Sequence, residues 1–78
     1  QSELIAVDFN WISGEAPTES IEVYGRTRYH QKLAKAIATV QEDGSVKVVF
    51  QEPQRAITKG QSVVLYDGEV VLGGGTIY

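Results

Sequence analysis

The amino-acid sequence predicts an all-β fold: a small closed or nearly closed antiparallel barrel of about six strands. Three observations lead there. Apolar side chains recur at every second position along most of the chain, the period of a pleated strand rather than of a helix. Turn residues interrupt these runs at short intervals: Gly14, Pro17, Asp43-Gly44, Pro53, Gly60 and Asp67-Gly68. A chain of 78 residues has little core to spare, and closing the sheet buries one face while removing both free edges.

Leu4-Ile5-Ala6-Val7-Asp8-Phe9 opens the chain as an apolar run of strand length, continued by Asn10-Trp11-Ile12. Residues 13–18 read as a loop. From Ser20 to His30 the alternation is regular: Ile21, Val23, Gly25, Thr27 and Tyr29 share one face, and Glu22, Tyr24, Arg26, Arg28 and His30 the other. The stretch Gln31 to Glu42 carries two patterns, because Leu33, Ala34, Ile37 and Ala38 would also make a helical stripe. Ala34, Ala36, Ala38 and Val40 alternate with Lys35, Ile37, Thr39 and Gln41, and Asp43-Gly44 leads straight into Ser45-Val46-Lys47-Val48-Val49-Phe50. That hairpin pattern, with small residues suited to a narrow barrel interior, selects strand.

Glu52-Pro53 ends this strand, since proline offers no ladder donor. Residues 54–61 form a short strand or turn. Ser62 to Tyr66 and Glu69 to Leu72 flank Asp67-Gly68, read as a type I′ hairpin turn with positive φ at both positions. Gly73-Gly74-Gly75 precedes a closing Thr76-Ile77-Tyr78. A phosphate-cradling loop requires a helix after the glycines; a β-type segment follows here, which favours a bulge or close backbone crossing at the barrel seam.

The length predicts one domain spanning residues 1–78, and a chain that starts at Gln1 and holds no methionine reads as a piece of a larger multidomain protein. Without cysteine there is no disulfide, thiolate nucleophile or zinc–thiolate site. No apolar run reaches the ~20 residues of a membrane helix, so no membrane partner is expected. Ten acidic against seven basic residues, a net charge of −3, oppose tight autonomous binding to a phosphate backbone. Neither a catalytic constellation nor a metal-ligand spacing is present, and His30 is the single histidine.

The feature that stands out is one strand face bearing Tyr24, Arg26, Arg28 and His30 at i, i+2, i+4 and i+6, with Lys32 and Lys35 beyond. Guanidinium groups pair with phosphates and tyrosine stacks on an unpaired base, so this is the candidate RNA-binding set, with Lys32 included. The competing reading is a solvated face whose arginines pair with Glu22 or another acid. Trp11 is divided between an anchor in the core or at a domain interface and a stacking role.

Three stretches together resemble a known family. Val7-Asp8-Phe9-Asn10-Trp11-Ile12 is similar to the opening strand of the C-terminal domain of tRNA-specific 2-thiouridylases, and Arg26-Thr27-Arg28-Tyr29-His30-Gln31 to its basic strand. The longest likeness runs from Phe50 to Gly75, where Glu52-Pro53-Gln54-Arg55-Ala56, Gly60-Gln61 and Leu72-Gly73-Gly74-Gly75 keep the family's order and spacing. Trp11, Arg55, Gly60, Gln61, Gly73, Gly74 and Gly75 are accordingly candidate structural or interdomain positions. His30 departs from the pattern, where a second arginine is common, and residues 32–36 replace a more proline-containing stretch.

The resemblance implies a non-catalytic barrel, like those of translation factors and aminomethyltransferases, appended to an ATP-dependent cytoplasmic tRNA-uridine 2-sulfurtransferase. In that family the N-terminal domain binds ATP (with Mg) and carries two catalytic cysteines; adenylation activates the wobble uridine and a persulfide delivers sulfur. No cofactor is expected in this chain. The implied partners are tRNA, the remaining domains of the same polypeptide and the proteins of a sulfur relay, with this barrel helping to frame the tRNA and packing against the other domains. Two alternatives stay open: a purely structural barrel, and a small-ligand module with no RNA contact.

Overall fold

The computed structural model describes residues 2–27, 32–54 and 57–78. Six strands form: β1 (Glu3–Trp11), β2 (Ile21–Arg26), β3 (Ala34–Val40), β4 (Val46–Phe50), β5 (Ser62–Asp67) and β6 (Val70–Ile77). They close into one antiparallel barrel in the order β1-β4-β3-β2-β5-β6. β2, β3 and β4 make a meander, β5 and β6 a hairpin, and β1 is the stave between β4 and β6. The two long connections, after β1 and after β4, are the ones joining strands that are not neighbours.

Period-two patterning decides the interior. Val23, Ala36, Ala38, Val46, Val48, Phe50, Val63 and Leu65 all point inward and are buried, together with Leu4, Ala6 and Ile77. Each fully buried aliphatic side chain contributes ~1.5–3 kcal/mol. The segment with two patterns is strand: Ala36 pairs with Phe50 and Ala38 with Val48, so the alanines make room for larger neighbours. Helix would have placed Ala36 and Ala38 on different sides.

The regular alternation after Ser20 outlasts the strand. β2 stops at Arg26 and Thr27 lies in a bend, so of the predicted basic row the structure places Tyr24 and Arg26; Arg28 and His30 lie outside the described residues. Residues 57–61 form a turn rather than a strand, with Gly60 N donating to Ile77 O at 2.8 Å.

The hairpin between β5 and β6 corrects the predicted turn. Asp67 pairs with Val70, which leaves Gly68-Glu69 as the two-residue loop. Gly68 has φ +61°, and neither Asp67 nor Glu69 is among the positive-φ residues. Positive φ at the first loop position alone is the signature of type II′, so the turn lies one residue later than Asp-Gly chemistry suggests.

Two bulges re-aim side chains near the barrel seam. Between the pairs Val7–Thr76 and Asn10–Gly74, β1 spends two residues, Asp8 and Phe9, against Gly75 alone. Asp8 takes up the distortion at φ +51°, a left-handed conformation that aspartate tolerates better than most residues. The inward phase therefore moves from Leu4 and Ala6 to Phe9 and Trp11, which pack against the core. On β6, Leu72 is the extra residue between the pairs Leu65–Gly73 and Tyr66–Val71.

Candidate nucleic-acid interface

The outward residues of β2, β5 and β6 form one row. Tyr24 faces Tyr66 across β2–β5, and Tyr66 faces Val71 across β5–β6. Tyr24 and Val71 are exposed and Tyr66 is half-buried. Arg26, two residues along β2, donates from Nη2 to the Tyr66 hydroxyl at 2.9 Å, and its guanidinium carbon lies 5.2 Å from the Tyr66 ring centroid. Hydrogen bond and cation–π contact together hold the half-buried guanidinium against the Tyr66 phenol.

At the end of this row lies a surface cleft of about 340 Å³, lined by Tyr24, Leu33, Ala34, Lys35, Gln51, Glu52 and Gln54. Lys32 precedes Leu33 and is exposed. Lys35 is diverted toward Glu22, 3.8 Å away, in an exposed ion pair; pairs of this kind contribute ~0–1 kcal/mol. Glu22 therefore serves a lysine here, whereas Arg26 is oriented by a tyrosine. Chemically, the row offers the exposed ring of Tyr24 for stacking and, beside it on β2, a guanidinium oriented by Tyr66.

The remaining predicted positions divide by role. Trp11 is half-buried, its ring centroid 4.4 Å from that of Phe9 at a 43° tilt, and the pair closes over the core. Gly73 pairs with Trp11 and Gly74 with Asn10 along the β1–β6 seam. Ile77 N donates to Gln61 O at 2.8 Å, which ties the segment before β5 to β6. Gln61 Oε1 is buried without a hydrogen-bond partner. Arg55 lies outside the described residues. Among the described residues no group of three or more His, Asp or Glu is placed to hold a metal ion, and no helix is long and apolar enough to cross a membrane.

Sequence reasoning missed Tyr66. It lies 40 positions from Arg26, and only the β2–β5 register brings the two together. At Asp43, Ser45 Oγ donates to Oδ1 at 2.6 Å and Ser45 N at 2.9 Å, and both hold the carboxyl below the usual aspartate range. It belongs to the β3–β4 turn, away from the aromatic row.

Residues 1–77 match the model of the aminomethyltransferase β-barrel domain. The chain belongs to that family. It is 54% identical over 74 residues to the tRNA-specific 2-thiouridylase MnmA of Francisella philomiragia, covering 95% of this chain and 21% of that protein. A Clostridium botulinum MnmA is 54% identical over 77 residues, covering 99% and 21%, and the Acetivibrio thermocellus protein 52% over 75 residues, covering 96% and 21%. The chain thus spans about a fifth of the length of the curated relatives it matches, and its likeness is to their C-terminal part.

Proposed function

We propose that this barrel is the C-terminal domain of a cytoplasmic tRNA 2-thiouridylase and that it positions tRNA through the Tyr24–Tyr66–Arg26 row, with Lys32 beside it. The observation that carries the reading is the guanidinium of Arg26 held by Tyr66, whose cross-strand partner Tyr24 is exposed. An exposed ring on the same strand as an oriented cation suits an unpaired nucleotide, whose base takes the aromatic face while its phosphate takes charge. The relatives' names supply the substrate class. Activation by ATP with Mg, and the sulfur transfer fed by a relay of donor proteins, belong on this reading to polypeptide outside the barrel.

The chain's net charge of −3 makes the barrel an adjunct rather than the main source of affinity, so its contribution is measured in the full-length protein. Arg26→Ala with Lys32→Ala is expected to weaken tRNA binding about tenfold and to lower the slope of log K against log salt by about 1–2. Unchanged tRNA affinity accompanied by a lower melting temperature would establish a structural barrel instead. That second reading has its own support, since Arg26 is already engaged by Tyr66. The small-ligand alternative has less, because Val23, Val46, Val48, Val63 and Leu65 fill the interior.

A further inference from the structure

On the outer face of β3 and β4, Ile37 and Val49 stand directly opposite each other and remain 40% and 38% exposed. A groove of about 290 Å³ lies over them, with Ala36 and Phe50 in its floor and wall. Two diagonal ion pairs frame it: Lys35–Glu22 toward β2 and Lys47–Glu3 toward β1, each at 3.8 Å. The frame sums to zero charge, so it neither draws nor repels a polyanion. An apolar floor with a mixed-sign rim matches the anatomy of a protein–protein contact rather than of a nucleic-acid one.

We infer that this groove is the seat of the polypeptide that precedes the barrel in the parent protein. Ser2 O accepts a hydrogen bond from Phe50 N at 2.6 Å, and Glu3 pairs with Val49. Ser2 and Glu3, the first described residues, therefore lie beside Phe50 and Val49 at the rim of the groove. The relatives resemble this chain only in their C-terminal fifth, so in them the bulk of the polypeptide arrives from that direction. A tethered segment acts at a millimolar-scale effective concentration, so it needs a smaller apolar contact than a free partner does. A second copy of the chain, binding without a tether, would need on the order of 800 Å² per partner, which this small framed patch does not offer.

The inference rests on the reading of the barrel as the terminal domain of a longer protein. An open reading frame that starts at the barrel removes that reading before any docking experiment is made. Docking itself is tested by hydroxyl-radical footprinting of the full-length protein beside the 78-residue chain, without RNA. Oxidation of Ile37 and Val49 is expected to fall several-fold in the full-length protein; equal rates in both would sink the inference. Protection that arises only on adding tRNA, or in the short chain alone at concentrations where it sediments as a dimer, would overturn it equally. In a second arm, Ile37→Glu with Val49→Glu is expected to leave the short chain's melting temperature within a few degrees while splitting the full-length protein's unfolding into two transitions. A single unshifted transition there would count against docking. Footprint protection with unchanged tRNA affinity in the Arg26 and Lys32 variants would leave docking intact and remove only the RNA reading.

Discussion

The ring of Phe9 lies against the bare backbone of Gly75. A Cβ on Gly75 would stand 2.8 Å from Phe9 Cδ2 and 2.9 Å from the Val7 carbonyl oxygen, and one on Gly73 would stand 2.7 Å from Phe9 Cε1 and closer still to the Asn10 carbonyl oxygen. The β1 bulge turns Phe9 inward over β6, and only glycine leaves room for it. At Gly74 the nearest atom would be Val63 O at 3.1 Å, tight but within reach of a small adjustment.

Gly73→Ala and Gly75→Ala are therefore expected to destabilise the barrel by about 1–3 kcal/mol each, with Gly74→Ala costing less. For a domain of this size that corresponds to a melting-temperature loss of roughly 4–24 °C, measured by circular dichroism or calorimetry. Equal losses at all three positions would contradict the bulge geometry.

The turn at Gly68-Glu69 makes a second, independent prediction. Gly68→Ala places a Cβ at φ +61° and is expected to cost about 1–2 kcal/mol. Gly68→Asn should recover part of that loss, because asparagine visits this conformation more readily. Asp67→Ala should change stability by less than about 0.5 kcal/mol, since Asp67 does not occupy a positive-φ position; a type I′ turn at Asp67-Gly68 would require a larger effect. Urea midpoints of the three variants decide the matter.

The Asp43–Ser45 contact predicts an acid-dependent contribution with a definite sign. Hydrogen bonds from the Ser45 hydroxyl and amide lower the folded-state pKa of Asp43, so its stabilising effect is complete above the unfolded value of about 3.9 and is lost as pH falls through the lower folded value. The single hydroxyl proton of Ser45 serves either Asp43 Oδ1 or Gln41 Oε1, and the charged acceptor takes the shorter contact. Asp43→Asn, which keeps an acceptor oxygen, is expected to flatten the melting temperature between pH 2 and 5 relative to the parent chain. Parallel curves would show that the contact is not coupled to folding.

Tyr66→Phe separates orientation from stacking. It removes the hydroxyl that accepts from Arg26 and retains the ring, so stability should change by about 0.5–1.5 kcal/mol at most. In the full-length protein, tRNA affinity should fall by less than in Arg26→Ala, and the double variant should match Arg26→Ala alone, because both changes act through one guanidinium. Strictly additive losses, read by fluorescence anisotropy, would show that Tyr66 acts on RNA by another route.

Much of the fold was legible because strand period and turn chemistry are local. The alternation put Val23 on one strand face and the small residues Ala36 and Ala38 toward a narrow interior, and Asp43-Gly44 marked the hairpin that follows. Half of the aromatic row was legible too, since Tyr24 and Arg26 lie two residues apart on one strand. Tyr66 was not, because no local pattern reports which strand closes beside β2. Nor was the phase change at Asp8, where an extended run of apolar residues conceals a bulge.

By itself the sequence determined the approximate number of staves, the alternation that sets the small alanines of residues 34–40 on one face and the lack of cysteine chemistry, all consequences of residue type at short spacing. Only the tertiary structure decided which strands meet, that Arg26 rests on Tyr66, that Phe9 lies over Gly75, and that Ile37 and Val49 share an uncovered groove. Those facts depend on registers between strands distant in the chain, and register is set by closing the whole barrel around one core rather than by any segment alone.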